Sequence, residues 1–170
     1  MSGRKDGPEG DVGVRTPMQW SADAHTGFTA AEPWHAPADG WREVNVAMQS
    51  ADSASLLTLY RRLVHLRAAN PALARGDWVP LRASHPAVAA YLRRSAGKIV
   101  LVVINISAWN LEDVSLSFDA GALPGGYQGA EVLLGPEAAP PRIGADGTME
   151  SYVPFATLGA RQTYILRLRP

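Results

Sequence analysis

The 170 residues carry 16 Lys and Arg against 16 Asp and Glu, and they are 46% hydrophobic and 19% charged. That balance describes a chain that folds around a core and presents no whole-chain field, so neither nucleic acid nor a membrane is expected as a partner. Cysteine is absent, which removes disulfides, thiol nucleophiles and cysteine-based zinc sites.

Residues 1–51 are rich in Gly, Pro, Trp and Asp and poor in periodic apolar positions, which predicts one long irregular loop. Its first ten residues, "MSGRKDGPEG", lack the apolar core of a signal peptide, so a cytoplasmic location is expected. Loops beyond about 12 to 15 residues are functional or disordered. Trp20, Trp34 and Trp41 argue against disorder, because that much apolar surface is costly to leave in water. Within the loop, "GVRTPMQW" at 13–20 puts an arginine, a proline and a tryptophan together where neither helical nor strand periodicity fits.

The segment "SADSASLLTLYRRLVHLRAANPAL" predicts a helix over 52–70. Asp52 or Ser53 is the expected N-cap, Leu56, Leu57, Tyr60, Leu63 and Val64 fall at three-and-four spacing, and Pro71 behind Asn70 ends the helix. Its apolar face is expected to meet solvent, the β region that follows, or another copy of the chain, so self-association through it is an open expectation.

From Gly76 the pattern turns to β. "WVPLRAS" and "AVAAYLRRS" read as paired strands around His85 and Pro86, and "KIVLVVINIS" as a strand covered on both faces. Val114, Leu116 and Phe118 alternate with polar residues, and "EVLLG", a segment near "SYVPF" and "RQTYILRLRP" complete about seven or eight strands. The fold class is mainly β: an antiparallel sandwich of Greek-key type over 73–170, preceded by a loop and one helix over 1–72.

The order of "MSGRKDGPEGDVGVRTPMQW", "HTGFT" at 25–29, "PW" at 33–34, "NVAMQ" at 45–49 and "LLTLYRRLVHLRAANPALARGDW" resembles glycoside hydrolase family 13, the α-amylase family, in its C-terminal third. The nearest likeness is to its α-glucosidase, oligo-1,6-glucosidase, trehalose synthase and α-amylase members. The resemblance implies that residues 1–72 are the end of a (β/α)₈ barrel, with "RTPMQW" in the loop after the eighth strand and the helix as the last of the barrel, and that the chain is a C-terminal portion of a longer enzyme. A whole barrel takes typically about 250 residues. The family's catalytic carboxylates come from strands four, five and seven, upstream of residue 1, and Asp6, Glu9, Asp11 and Asp23 stand in no matching context. No catalytic residue is therefore expected here, and the chain by itself is not expected to be active.

One residue carries over. The arginine of "RTPM", Arg15, would pair with an upstream aspartate on the pocket floor and help recognise a terminal glucose, its planar fork suiting a carboxylate and sugar hydroxyls. Thr16 and Pro17 would fix the loop, with Met18 and Trp20 anchoring it on the barrel. The plainer reading makes Arg15 a loop arginine in a surface ion pair. In the intact parent the implied partners are α-glucan or maltooligosaccharide and the missing barrel; the competing reading is an autonomous β-sandwich module binding α-glucan or a protein.

Other signals are weaker. Arg75-Gly76-Asp77 matches an adhesion tripeptide but reads as a turn, and Asn105-Ile106-Ser107 matches a glycosylation sequon at the end of an expected core strand. His25, His35, His65 and His85 share no metal-ligand spacing, and the glycines form no phosphate loop, so no metal or other cofactor is expected. Trp109 is either a stacking platform for a sugar ring or a packing or surface tryptophan.

Overall fold

A computed structural model describes residues 15–118, 123 and 125–170; the readings on Asp6, Glu9 and Asp11 lie outside the described residues. The chain divides into two compact units, 1–65 and 66–170.

The helix expected over 52–70 is present but begins later, and a further short helix precedes it. Helix α1 spans Val46–Ala51, inside the expected loop, and α2 spans Leu56–Ala69. The later start has a local cause. Asp52, an expected N-cap, turns its carboxylate onto the Ala54 N–H at 2.8 Å and closes a tight turn. The cap of α2 is Ser55, whose Oγ accepts the Thr58 N–H at 3.2 Å and donates to the Gln49 carbonyl at 2.6 Å. The Gln49 side chain accepts the Leu57 N–H at 3.1 Å, so two of the first amides of α2 are taken up by residues that also hold it to α1. At its other end, Pro71 forces Asn70 out of the helical region (φ −119°) and then opens helix α3, Pro71–Arg75.

The polarity of this unit is inverted. Its buried residues, among those described, are Pro17, Thr26, Asn45 and Ser55. Met18, Trp20, Phe28, Trp34, Met48, Leu56, Tyr60 and Val64 are all exposed, and α2 buries no residue.

The second unit has the ordinary arrangement. Strands β1 (Asp77–Pro80), β2 (Arg82–Ala83), β3 (Val88–Ser95), β4 (Lys98–Asn105), β5 (Leu111–Glu112), β6 (Leu116–Phe118), β7 (Gly129–Leu134), β8 (Met149–Tyr152), β9 (Thr157–Leu158) and β10 (Thr163–Arg169) follow in order. They form a five-stranded sheet β1-β3-β4-β10-β7, a three-stranded sheet β2-β6-β8 and the pair β5-β9, antiparallel throughout among the described residues. Ten strands exceed the expected seven or eight because three of them are two residues long. The segments flanking His85 are paired as expected, over the first part of "WVPLRAS". Residues 77–80 pair with β3, then the chain crosses at Leu81 and residues 82–83 pair with β6 in the other sheet.

The core lies between these sheets. Leu92, Leu101, Val103 and Leu166 from the larger one meet Leu116, Phe118, Met149, Tyr152 and Leu158. The far face of β4 is covered as well: Val100 and Val102 are buried there with Ala72 and Leu73 of α3 packed on this region, which accounts for the unbroken apolar run of β4. Polar bonds fasten the start of the unit to the same face. Arg167 donates to Asn70 Oδ1 at 2.6 Å and to Glu131 at 3.0 Å, and Arg93 Nε donates to the Ala72 carbonyl at 3.3 Å. Gly76 sits where an added Cβ would meet the Ala72 and Arg94 carbonyl oxygens at 2.5 Å each. The glycine of the Arg-Gly-Asp tripeptide is thus a packing requirement.

Glu131 also accepts from Arg169. That bond, with support from Arg167, holds its carboxyl below the usual carboxylate range. A depressed folded-state pKa contributes stability above the unfolded value, about 4.3, and loses it as the pH falls through the folded value. The pair is partly exposed, so Glu131→Gln should cost about 1 kcal/mol or less at pH 7, with the difference from wild type closing as the pH falls through the folded-state value in paired thermal melts.

Candidate functional site

The segment Thr16–Trp20 has no helix or sheet to satisfy its main chain, and Pro17 supplies no N–H. Its polar groups are taken up from two sides. On one side lies the start of α1, whose first amides have no partner within the helix. Val46 N–H donates to the Gln19 carbonyl and Ala47 N–H to the Trp20 carbonyl, both at 2.9 Å. The third amide, Met48 N–H, goes to the side chain of the N-cap Asn45 at 2.9 Å. Asn45 is buried and donates its Nδ2 to the Trp41 and Arg42 carbonyls, both at 3.1 Å.

On the other side lies Thr26. Its carbonyl accepts the Trp20 and Ser21 N–H groups at 2.9 and 3.0 Å, and its hydroxyl lies between the His25 carbonyl at 2.5 Å and the Met18 carbonyl at 3.0 Å, which share its one proton. To make these bonds the turn Ala24–Gly27 takes left-handed backbone at three successive residues: His25 (φ 53°), Thr26 (φ 63°) and Gly27 (φ 66°). For a β-branched threonine this conformation is costly, on the order of 1–3 kcal/mol, and persists only where the surroundings over-determine it. Thr26 has no exposed surface. Residues 16–20, the turn Ala24–Gly27 and the motif at 45–49 are therefore one interlocked structure.

Because the main chain is held, the side chains are free to face outward. Pro17 is buried, whereas Met18 and Trp20 are 49% and 48% exposed. A cleft of about 200 Å³ opens beside them, lined by Thr16, Met18, Val44, Asn45 and Gln49. Arg15 is exposed on a bend one residue before this cleft. Asp23 is exposed and takes part in a local bond from Ser21 Oγ at 2.7 Å. Thr26 and Asn45 had no sequence-based assignment. The signals were present, since an Asn immediately before "VAMQ" is an N-cap signature and a Gly after "HT" permits left-handed backbone.

In the second unit a cavity of about 590 Å³ is lined by Pro140, Pro141, Arg142 and Glu150 among others. One carboxylate is the whole acidic complement of its lining among the described residues, too few for paired acid/base work. Asn105 of the sequon is fully buried, with Nδ2 spent on the Trp109, Leu158 and Gly159 carbonyls at 2.7, 3.0 and 3.0 Å, which leaves it no access for a glycan.

Comparison with known proteins bears on the first unit most directly. The family described as alpha amylase, catalytic domain, matches residues 3–76, which include all three interlocked segments. Residues 3–76 belong to the α-amylase family, glycoside hydrolase family 13. Among relatives of this α-amylase-family segment, the trehalose-6-phosphate hydrolase of Escherichia coli is 38% identical over 93 residues, 55% of this chain and 17% of that enzyme. The oligo-1,6-glucosidase of Bacillus cereus is 32% identical over 114 residues, 64% of this chain and 20% of that enzyme. The chain thus spans about a fifth of the length of these curated relatives. Among solved structures, the isomaltulose synthase of Klebsiella sp. LX3 superposes with a TM-score of 0.66 at 26% identity, covering 91% of this chain and 25% of that one.

The staple across the α-amylase-family segment can be tested at Thr26. Thr26→Val keeps the branched side chain and removes the hydroxyl that the His25 and Met18 carbonyls share, at a cost of about 0.5–1.5 kcal/mol. Chymotryptic cleavage after Trp20 should accelerate about tenfold under native conditions; an unchanged rate would show that the hydroxyl does not hold the segment.

Proposed function

We propose that this chain is the C-terminal part of an enzyme that acts on α-glucosidic bonds with retention, contributing the last loop and helix of a (β/α)₈ barrel and the β-sandwich that follows. The observation that carries this reading is the interlock of Thr16–Trp20 between α1 and Thr26, which fixes a loop by its main chain and leaves Arg15, Met18 and Trp20 facing outward. A loop built this way presents side chains to something beyond itself. The exposed apolar residues of α1 and α2 support the same reading, because patches of this kind mark interaction surfaces.

Arg15 is the residue assigned to substrate. A guanidinium offers five donors in a rigid fork, so it can hold a carboxylate on one edge and sugar hydroxyls on the other. The chemistry of bond cleavage belongs to a nucleophilic and an acid/base carboxylate about 5 to 5.5 Å apart, which the remainder of the barrel would supply. The substrates are α-glucosides of the kind named for the relatives, a hydrolase of trehalose 6-phosphate and an oligo-1,6-glucosidase among them.

Expression of the gene together with its upstream sequence tests this directly. The extended product should hydrolyse or rearrange α-glucosides, the 170-residue chain should not, and Arg15→Lys in the extended product should lower kcat/KM about 100-fold because a point charge cannot replace the fork. Turnover by the short chain alone, or an Arg15→Lys variant with full activity, would refute the assignment. A second reading, an autonomous module that binds α-glucan, draws support from the self-contained core of residues 66–170.

A further inference from the structure

We propose that Trp109 is the stacking platform of an α-glucan contact on the β unit. The choice of sugar rests on the α-glucoside reading above; the existence of a contact rests on how the loop is built. Trp109 follows β4 and is 75% exposed. A tryptophan left in water on a mobile loop needs no supporting structure, and here the supporting structure is extensive.

Asn105, fully buried at the end of β4, donates to the Trp109 carbonyl at 2.7 Å, while its Oδ1 accepts from the Ser107 N–H at 2.9 Å and the Ser107 hydroxyl at 2.7 Å. The Ser107 carbonyl accepts the Arg161 N–H at 3.0 Å, and Asn110 Oδ1 accepts the Ala160 N–H at 3.0 Å. These bonds lace the loop after β4 to the loop before β10. Arg161 holds left-handed backbone (φ 55°) at this junction, a conformation non-glycine residues adopt only under constraint. Asn105 is the buried anchor of this network, and a buried polar group with its bonds made rigidifies what it holds.

What is held out is one indole ring, with Asn110 and Arg161 on the adjoining backbone and Ile106 exposed on the same loop. Sugar rings present C–H faces that pack on an aromatic surface and hydroxyls that need hydrogen-bond partners, and the exposed Asn110 and Arg161 carry an amide and a guanidinium in the two loops joined here. A ring carried on a held main chain has only its own side-chain torsions left to order on binding, which favours small, repeated ligands such as a glucan chain. A protein hot spot more often places its aromatic in a well-packed, desolvated patch.

Calorimetric titration of the 170-residue chain with maltoheptaose is the test. Wild type should bind with Kd on the order of 0.1–1 mM. Trp109→Ala should weaken binding at least about tenfold, Trp109→Phe should retain part of it, and neither should shift the thermal midpoint by more than about 2 °C, since the ring contributes little to the core. Equal binding by wild type and Trp109→Ala would overturn the proposal, as would no saturable binding by wild type. Light scattering that shows a dimer lost in Trp109→Ala, with no response to sugar, would overturn it in favour of a second copy. If the upstream-extended product proves inactive while Trp109-dependent binding persists, the site stands and the proposed enzyme falls; the converse result removes only the site.

Discussion

Thr26 is the point on which the first unit turns. Its side chain and carbonyl fasten Met18, Trp20 and Ser21, and it does so from a left-handed conformation that threonine does not adopt unforced. The opposing constraint comes from α1, whose unpaired N-terminal amides close on Gln19 and Trp20. Two short motifs far apart in sequence therefore supply what a β-sheet would otherwise supply to the segment between them, namely partners for its main chain. A loop secured in this way leaves the Met18 and Trp20 side chains about half exposed.

This arrangement explains why the two units look so different. Residues 66–170 bury leucine, valine and aromatic side chains between sheets and keep charge at the periphery, the usual balance of hydrophobic burial against conformational entropy. Residues 15–65 bury a proline, a threonine, an asparagine and a serine. Hydrogen bonds of this kind contribute only about 1 kcal/mol each in net terms, but they specify geometry closely. The first unit is thus specified rather than strongly stabilised, which is consistent with a piece whose apolar surface is meant to be covered.

The legible parts of the sequence were those governed by local periodicity. The apolar spacing of α2, the stop at Pro71 and the double-faced burial of β4 all follow from patterns within some ten residues of one another. The transfer of residues 82–83 from one sheet to the other was not legible, because nothing within "WVPLRAS" encodes a partner some thirty residues downstream. The break between α1 and α2 depended on Asp52 choosing a turn over a cap, and either choice is chemically open to that side chain. Thr26 acts on main-chain groups outside its own turn, so its role emerges only when the segments are brought together, whereas Asn45 caps α1 and bonds to carbonyls within four residues of itself. Arg15 is a different case: its assignment comes from resemblance and from its place beside the held segment.

The central claim is that the Thr16–Trp20 segment is pre-shaped by its own neighbours in this chain. Amide hydrogen exchange at residue resolution measures this most directly, through the N–H groups of Trp20, Ser21, Val46 and Ala47, whose acceptors are the bonds that define the interlock. The account predicts that these four are protected together, at least about 100-fold over an unstructured peptide, and open as one cooperative unit. Exchange of all four at the unstructured rate would contradict it, since the segment would then have no shape of its own to present.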